Sequence, residues 1–255
     1  MPEAYDRWLS PTVFRPFAVD LARRAALLEP SRVLEIAAGT GALTMELAAA
    51  IPAAEITATD LNAAMVEYGA ARAPGAKWQR ADAMDLAFEE SEFDLVICQF
   101  GVMFFPDKPA AFSQIRRVLA PAGRFVFNAW DTVDTHGFEA VLTEALGVAF
   151  PDDPPTFIVT TPHGYADVSR AQADLAAGGL ECVSTQRVTV IGHAASTADL
   201  ATGYCTGTPL RMEIQSRGDL AASTKIIGRE MTARLGPGPV AAEMNAYVID
   251  ARPQA

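Results

Sequence analysis

A few residues of this 255-residue chain have the type and spacing that chemistry requires. Gly39 and Gly41 flank Thr40 directly after the apolar run Arg32–Ala37, which carries Glu35 inside it. With no Cβ at either glycine, the backbone can turn tightly and a ligand can approach closely. Asp60 closes the next apolar run nineteen positions after Gly41, and Asp82 follows the third run. An acid at the first of these places accepts hydrogen bonds from ribose hydroxyls, and one at the second could meet an exocyclic amine. Each alone reads equally as a helix cap or turn residue, but together they point to a ligand. His136 and His163 are the candidate general bases for an acceptor that must lose a proton, with a surface or structural role as the competing reading. His193 follows a strand and is the weaker candidate. No two histidines stand at metal-ligand spacing, so no metal is expected.

These residues need a scaffold, and hydrophobic periodicity supplies one. Short apolar runs at Arg32–Ala37, Glu55–Asp60, Ala76–Arg80, Phe93–Gln99 and Arg124–Trp130 read as strands. Helical stretches at Thr40–Ala50, Ala63–Ala71 and Ala110–Leu119 lie between them, stopped by proline or glycine. Strand and helix alternating at this spacing predict βαβ units and a parallel sheet covered on both faces. After Trp130 the pattern changes to helices at Phe138–Phe150 and Asp167–Ala177 around a proline cluster. A long alternating strand at Leu180–Ile191 comes next, then helices from Thr197 to Leu235 broken at Gly207–Pro209 and Gly218, and a last strand at Glu243–Asp250. The expected fold is α/β, a doubly wound, mostly parallel seven-stranded sheet. One domain is expected over 1–255, with a ligand-binding core at 1–130 and insertions at 131–165 and 197–235 forming a lid.

Composition narrows the partners. Lys plus Arg total 20 against 31 Asp plus Glu, a net charge of −11 with the deficit on both sides of Trp130. Nucleic-acid affinity rests largely on cations meeting phosphates, so such a partner is not expected. Cys98, Cys182 and Cys205 are too few and scattered for a disulfide framework or a metal site. Neither a secretory leader nor an apolar run of about 20 residues is read, so no membrane is expected and the location is taken as cytoplasmic.

The spacing also separates two ligand classes. A dinucleotide loop of the form GxGxxG would need a third glycine at position 44, and Thr44 stands there. Glu35 would place a carboxylate where a diphosphate lies, which favours a ligand with a cationic or amine end, such as S-adenosylmethionine. On Glu35–Gly41, Thr59–Asn62, Ala81–Ala83, Phe93–Val96 and Leu119–Phe125, the stretch Tyr5–Trp130 resembles class I S-adenosylmethionine-dependent methyltransferases. It is most similar to the small-molecule group that includes the ubiquinone and menaquinone C-methyltransferases. The first of the family's three loop glycines is Ala37 here.

The resemblance implies a Rossmann-like fold, S-adenosylmethionine as cofactor and methyl transfer to a small molecule. It implies that backbone at Ala37, Gly39 and Gly41 lines the methionine and ribose portions, and that Asp60 holds the ribose. Leu61 and Met65 would pack on the adenine, Asp82 and the Ala83 backbone would contact it, and Gln99 and Phe100 would border the methionine end. Tyr5 would contact the cofactor from an N-terminal segment. Two other readings stay open: a nicotinamide-dependent oxidoreductase, and a protein that binds the cofactor without transferring methyl, such as a cyclase. The acceptor and the oligomeric state are not legible.

Overall fold

In the computed structural model, which describes residues Pro2–Gln254, a wide π-helical stretch Tyr5–Phe14 runs into α1 (Arg15–Leu27). There follow β1 (Arg32–Glu35), α2 (Ala42–Ala50), β2 (Glu55–Asp60), α3 (Ala63–Arg72), β3 (Lys77–Arg80) and β4 (Phe93–Gln99). Then come α4 (Lys108–Val118), β5 (Leu119–Trp130), α5 (Gly137–Ala149), α6 (Val168–Ala177) and β6 (Leu180–Ala194). The chain ends with α7 (Thr197–Gly207), α8 (Leu210–Arg217), α9 (Leu220–Leu235) and β7 (Val240–Pro253). Short polar side chains start the helices. Asn62, Asp107, Asp167, Ser196 and Asp219 accept first-turn amides of α3, α4, α6, α7 and α9, each cap worth about 1 kcal/mol.

The sheet has seven strands in the order β3-β2-β1-β4-β5-β7-β6. Strands β1 to β5 pair in parallel, and β7 lies antiparallel to β5. This is the doubly wound, mostly parallel sheet that the alternation of elements predicts. Burial follows from two covered faces: Val33 and Leu34 of β1 and Leu95–Cys98 of β4 are fully buried on both sides of the pleat. On β5, Val126 joins Leu21, Leu43, Leu47 and Ile56 on one face. Its neighbours Phe125 and Phe127 meet Phe112 of α4 on the other.

The late strands depart from the sequence reading. β5 opens at Leu119 rather than Arg124, because the register jumps from Phe93↔Leu119 to Leu95↔Arg124 and absorbs the Pro121-Ala122-Gly123 turn within the strand. β6 runs on to Ala194, and β7 extends at both ends beyond Glu243–Asp250. The breaks expected near Gly207–Pro209 and Gly218 do separate α7, α8 and α9.

The described residues group into two compact units. The sheet unit comprises Phe17–Trp130, Tyr165–Val188 and the segment from Ala246 onward. The helical unit comprises the segment up to Pro16, Asp131–Gly164 and Thr189–Asn245. The expected insertion at 197–235 and that at 131–165 apart from Tyr165 fall in the helical unit, as do the residues up to Pro16.

Candidate functional site

The direction of strand order reverses between β1 and β4, and open α/β sheets bind ligands beyond the C-terminal ends of the strands at that point. There β1 ends at Glu35 and the chain turns through Ala37–Gly41 into α2. The turn needs left-handed backbone at Ala37 (φ +55°), Gly39 (+56°) and Gly41 (+86°). Glycine adopts this freely, whereas at Ala37 it costs about 1 kcal/mol. A Cβ at Gly39 would meet nothing within 4 Å, so the space beside the turn is open. The Thr40 hydroxyl is buried with no hydrogen-bond partner among the described residues.

Asp60 knits the turn to the second strand. One carboxylate oxygen accepts the Gly39 amide at 2.9 Å and the other accepts the Asn62 amide at 2.8 Å. Each oxygen keeps a lone pair for a hydroxyl donor. Burial pushes the Asp60 carboxyl up, against the pull of those two amides. Beyond it Leu61 exposes 57% of its surface, an apolar shelf at the start of α3, and Met65 is half-buried one turn on. Ala81 donates its amide to the Asp60 carbonyl at 3.2 Å, so the Asp82–Ala83 turn lies next to the same strand end. Asp82 is exposed and caps its own turn through the Met84 amide.

From the other side β4 delivers Gln99 and Phe100. Phe100 sits in left-handed backbone (φ +51°), held there by its amide donating to the Asn128 side-chain oxygen at 2.8 Å. Its ring stacks on Trp130 with centroids 3.5 Å apart and meets the edge of Phe17. Gly101 must be glycine here, since a Cβ would lie 2.5 Å from the Ala37 Cβ and 2.6 Å from the Cys98 sulfur. The structure thus gathers Glu35, Ala37, Gly39, Gly41, Asp60, Leu61, Met65, Asp82, Ala83, Gln99 and Phe100 around the strand ends of the sheet unit.

Glu35 closes β1 beneath the glycine turn. Its side chain is 1% exposed and accepts the Thr44 hydroxyl at 2.6 Å. Burial, with the Asp60 carboxylate nearby, raises its carboxyl to about 8 despite the Thr44 bond, which favours the protonated acid. Thr44, which the sequence marks only as a missing glycine, is its partner. Asn128 and Trp130 were likewise passed over, because a polar residue and a ring inside an apolar strand carry no local signal of their partners.

The remaining candidates belong to the helical unit. His136 caps α5, its Nδ1 accepting the Glu139 amide at 3.4 Å, and His163 lies in a short turn further along. Both rings turn toward Glu139. His163 Nε2 bonds the Glu139 carboxylate and its Nδ1 bonds the Asp131 carbonyl, while His136 Nε2 stands 3.9 Å from Glu139. Both partners of His163 are acceptors, so the ring carries two protons. Burial opposes that charge, but Glu139 and the two hydrogen bonds hold the His163 value up. Burial would likewise raise Glu139, yet His136 and His163 bring it down to about 2. His136 is pushed down by burial, and the Tyr204 hydroxyl is pushed well up by burial and by Glu139. Tyr5 is in this unit too, stacked on Phe14 at 4.7 Å between centroids. Among the described residues no cluster of His, Cys, Asp or Glu fits a metal ion, and no helix is long and apolar enough to cross a membrane.

Residues 33–123 match the family model described as a methyltransferase domain. The demethylmenaquinone methyltransferase of Thermus thermophilus is 37% identical over 117 residues, covering 44% of this chain and 52% of that protein. The chain spans about half the length of the curated relatives it matches. Among solved structures, the YcgJ protein of Bacillus subtilis superposes with a TM-score of 0.59 at 19% identity, covering 94% of this chain and 99% of that one. The [4+2]-cyclase SpnF gives 0.59 at 16% identity, covering 93% and 80%. At such identities these two speak for the fold alone. Over residues 33–123 this chain is therefore similar to methyltransferase domains, the family that its sequence features also resemble.

Proposed function

We propose that the protein transfers a methyl group from S-adenosylmethionine to a small-molecule acceptor. The observation that carries this reading is the open turn at Gly39 beside the Asp60 carboxylate, at the switch point of the sheet. The residues present fit the cofactor. Asp60 keeps lone pairs for both ribose hydroxyls, the Leu61 shelf and Met65 would cover the adenine, and Asp82 with the Ala83 backbone would meet its edge. Ala37, Gly39, Gly41, Gln99 and Phe100 would line the methionine end. Tyr5 would add a contact from the N-terminal segment. When bound, S-adenosylmethionine supplies a methyl on a sulfonium, open to in-line displacement.

The chain's own contribution is positioning, which is worth several orders of magnitude when reacting atoms are held in line. Phe100 has its backbone fixed by Asn128 and its ring fixed by Trp130, so that border of the site is rigid. His136 and His163 were the expected bases. With both nitrogens of His163 already bonded and Glu139 as shared partner, we assign the pair to holding the helical unit together. We assign acceptor choice to the helical unit, which holds the 197–235 insertion and all but Tyr165 of the 131–165 insertion.

Isothermal titration with S-adenosylmethionine tests the cofactor reading. A screen of phenols, quinones and polyketide-like acceptors for release of S-adenosylhomocysteine tests transfer. Binding with no such release by any acceptor would favour a cofactor-binding mould of the cyclase type. Preferential binding of a nicotinamide dinucleotide would replace the reading altogether.

A further inference from the structure

A buried carboxylic acid that no cation faces can still serve a cationic ligand if it gives up its proton when the ligand arrives. Glu35 is built this way. It sits at the end of β1, under the glycine turn, with its side chain sealed from solvent. The groups acting on it come from three elements: the Thr44 hydroxyl on α2, the Asp60 carboxylate at the end of β2 and the Cys98 thiol on β4. Burial keeps the Cys98 thiol neutral, Thr44 is neutral, and the charge that acts on Glu35 is another carboxylate, that of Asp60. Arg72 reaches the turn at the Thr40 carbonyl, 3.4 Å away.

We infer that Glu35 reads the charge of the ligand: it is neutral while the turn is empty and releases its proton to solvent when a cationic ligand binds there. The inference rests on the cofactor reading above and adds a proton to its stoichiometry. The balance is simple. Neutral Glu35 plus a cation gives a carboxylate paired with that cation and one proton in solution. The charge inside the site then stays near constant, and neither the buried acid nor the cation is left uncompensated. Removing the ligand, or removing its positive charge, returns the proton to Glu35. Thr44 serves both states, since its hydroxyl donates to the carboxyl oxygen in either.

Titration calorimetry in two buffers of different ionisation heat measures the protons released. Binding of S-adenosylmethionine near pH 7 should release about one proton, and Kd should fall about ten-fold per pH unit between about pH 5.5 and about pH 7. 5′-Methylthioadenosine carries the same adenosine and no charge, and should bind with no proton release and no slope. E35Q keeps a partner for Thr44 and should bind S-adenosylmethionine with the slope and the proton both lost. S-adenosylmethionine binding without proton release would overturn the inference and leave the cofactor reading standing. So would a slope retained in E35Q, or equal release with the uncharged probe. Absence of S-adenosylmethionine binding at every pH would bring down both. The wild-type measurements decide the matter even if E35Q does not fold.

Discussion

Two buried glutamates of this molecule have partners that pull their carboxyls in opposite directions. Glu35 of the sheet unit and Glu139 of the helical unit are equally sealed from water, and burial pushes both carboxyls up. Glu35 meets a hydroxyl and a second carboxylate and ends at about 8. Glu139 meets two imidazoles and ends at about 2. Burial sets the stakes and the partner decides the outcome. The sheet unit keeps an acid that is waiting for a cation, whereas the helical unit has already supplied one from its own chain. This is why the first is suited to a ligand and the second to holding a fold.

The largest effect should come from breaking the pair that is already made. Glu139→Gln leaves the His163 imidazolium buried without its counter-charge, and should cost about 3–5 kcal/mol of stability by denaturant unfolding at neutral pH. The pH dependence has a definite sign. Glu139 is depressed in the fold, so its contribution is present above its unfolded value of 4.5 and is lost as pH falls toward about 2. His163 is raised, so its contribution is present below 6.5 and is lost as pH rises through its folded value. The variant should lose both limbs.

The sheet unit should behave in the reverse sense. Glu35 is raised from 4.5 to about 8, so the stability linked to its proton is fully present below 4.5 and declines as pH rises toward about 8. The ceiling on that decline is ~1.4 kcal/mol per pH unit. Comparing unfolding of wild type and Glu35→Gln at about pH 5 and about pH 7 should therefore show the variant gaining roughly 1–3 kcal/mol on the wild type. A gap that stays constant with pH would mean that Glu35 is ionised like any surface acid.

Asp60→Ala sharpens the comparison from the neighbour's side. It should weaken S-adenosylmethionine binding by about 1.5–3 kcal/mol, the scale of hydrogen bonds to a charged acceptor, in a chain that stays folded. An unchanged Kd would show that the ribose is held elsewhere. The smallest effect is expected at Ala37, whose left-handed backbone a glycine adopts without strain. Ala37→Gly should leave stability within about 1 kcal/mol of wild type, relief of strain offsetting the added freedom of the unfolded chain, which thermal unfolding can check.

Much of the sheet unit was legible because its signals are local. Continuous apolar runs marked β1 and β4, and prolines and glycines marked where helices stop. The start of β5 was hidden because Pro121 and Gly123 announce a turn that the strand absorbs by a register jump, which only its pairing with β4 reveals. The residues of the glycine turn were legible by type and spacing, but the protonation of Glu35 was not. It depends on Thr44, nine positions away and one helix turn inside α2. The histidine cluster was illegible for a stronger reason. His136 and His163 converge on Glu139 and Tyr204 through the packing of separate segments, and no spacing rule connects them.

The contact between Ala37 and Gly101 also constrains the order in which this loop can change. In this chain the methyl of Ala37 occupies the place that a side chain at position 101 would need. A substitution at Gly101 is therefore conditional on what stands at 37. With glycine at 37, a residue larger than glycine at 101 would have to displace only the Cys98 sulfur rather than two neighbours. Position 101 is released from its contact with position 37 only once position 37 has lost its methyl. The two sites are coupled although neither bonds to the other, and a library that varies them one at a time would miss the combinations that the backbone permits.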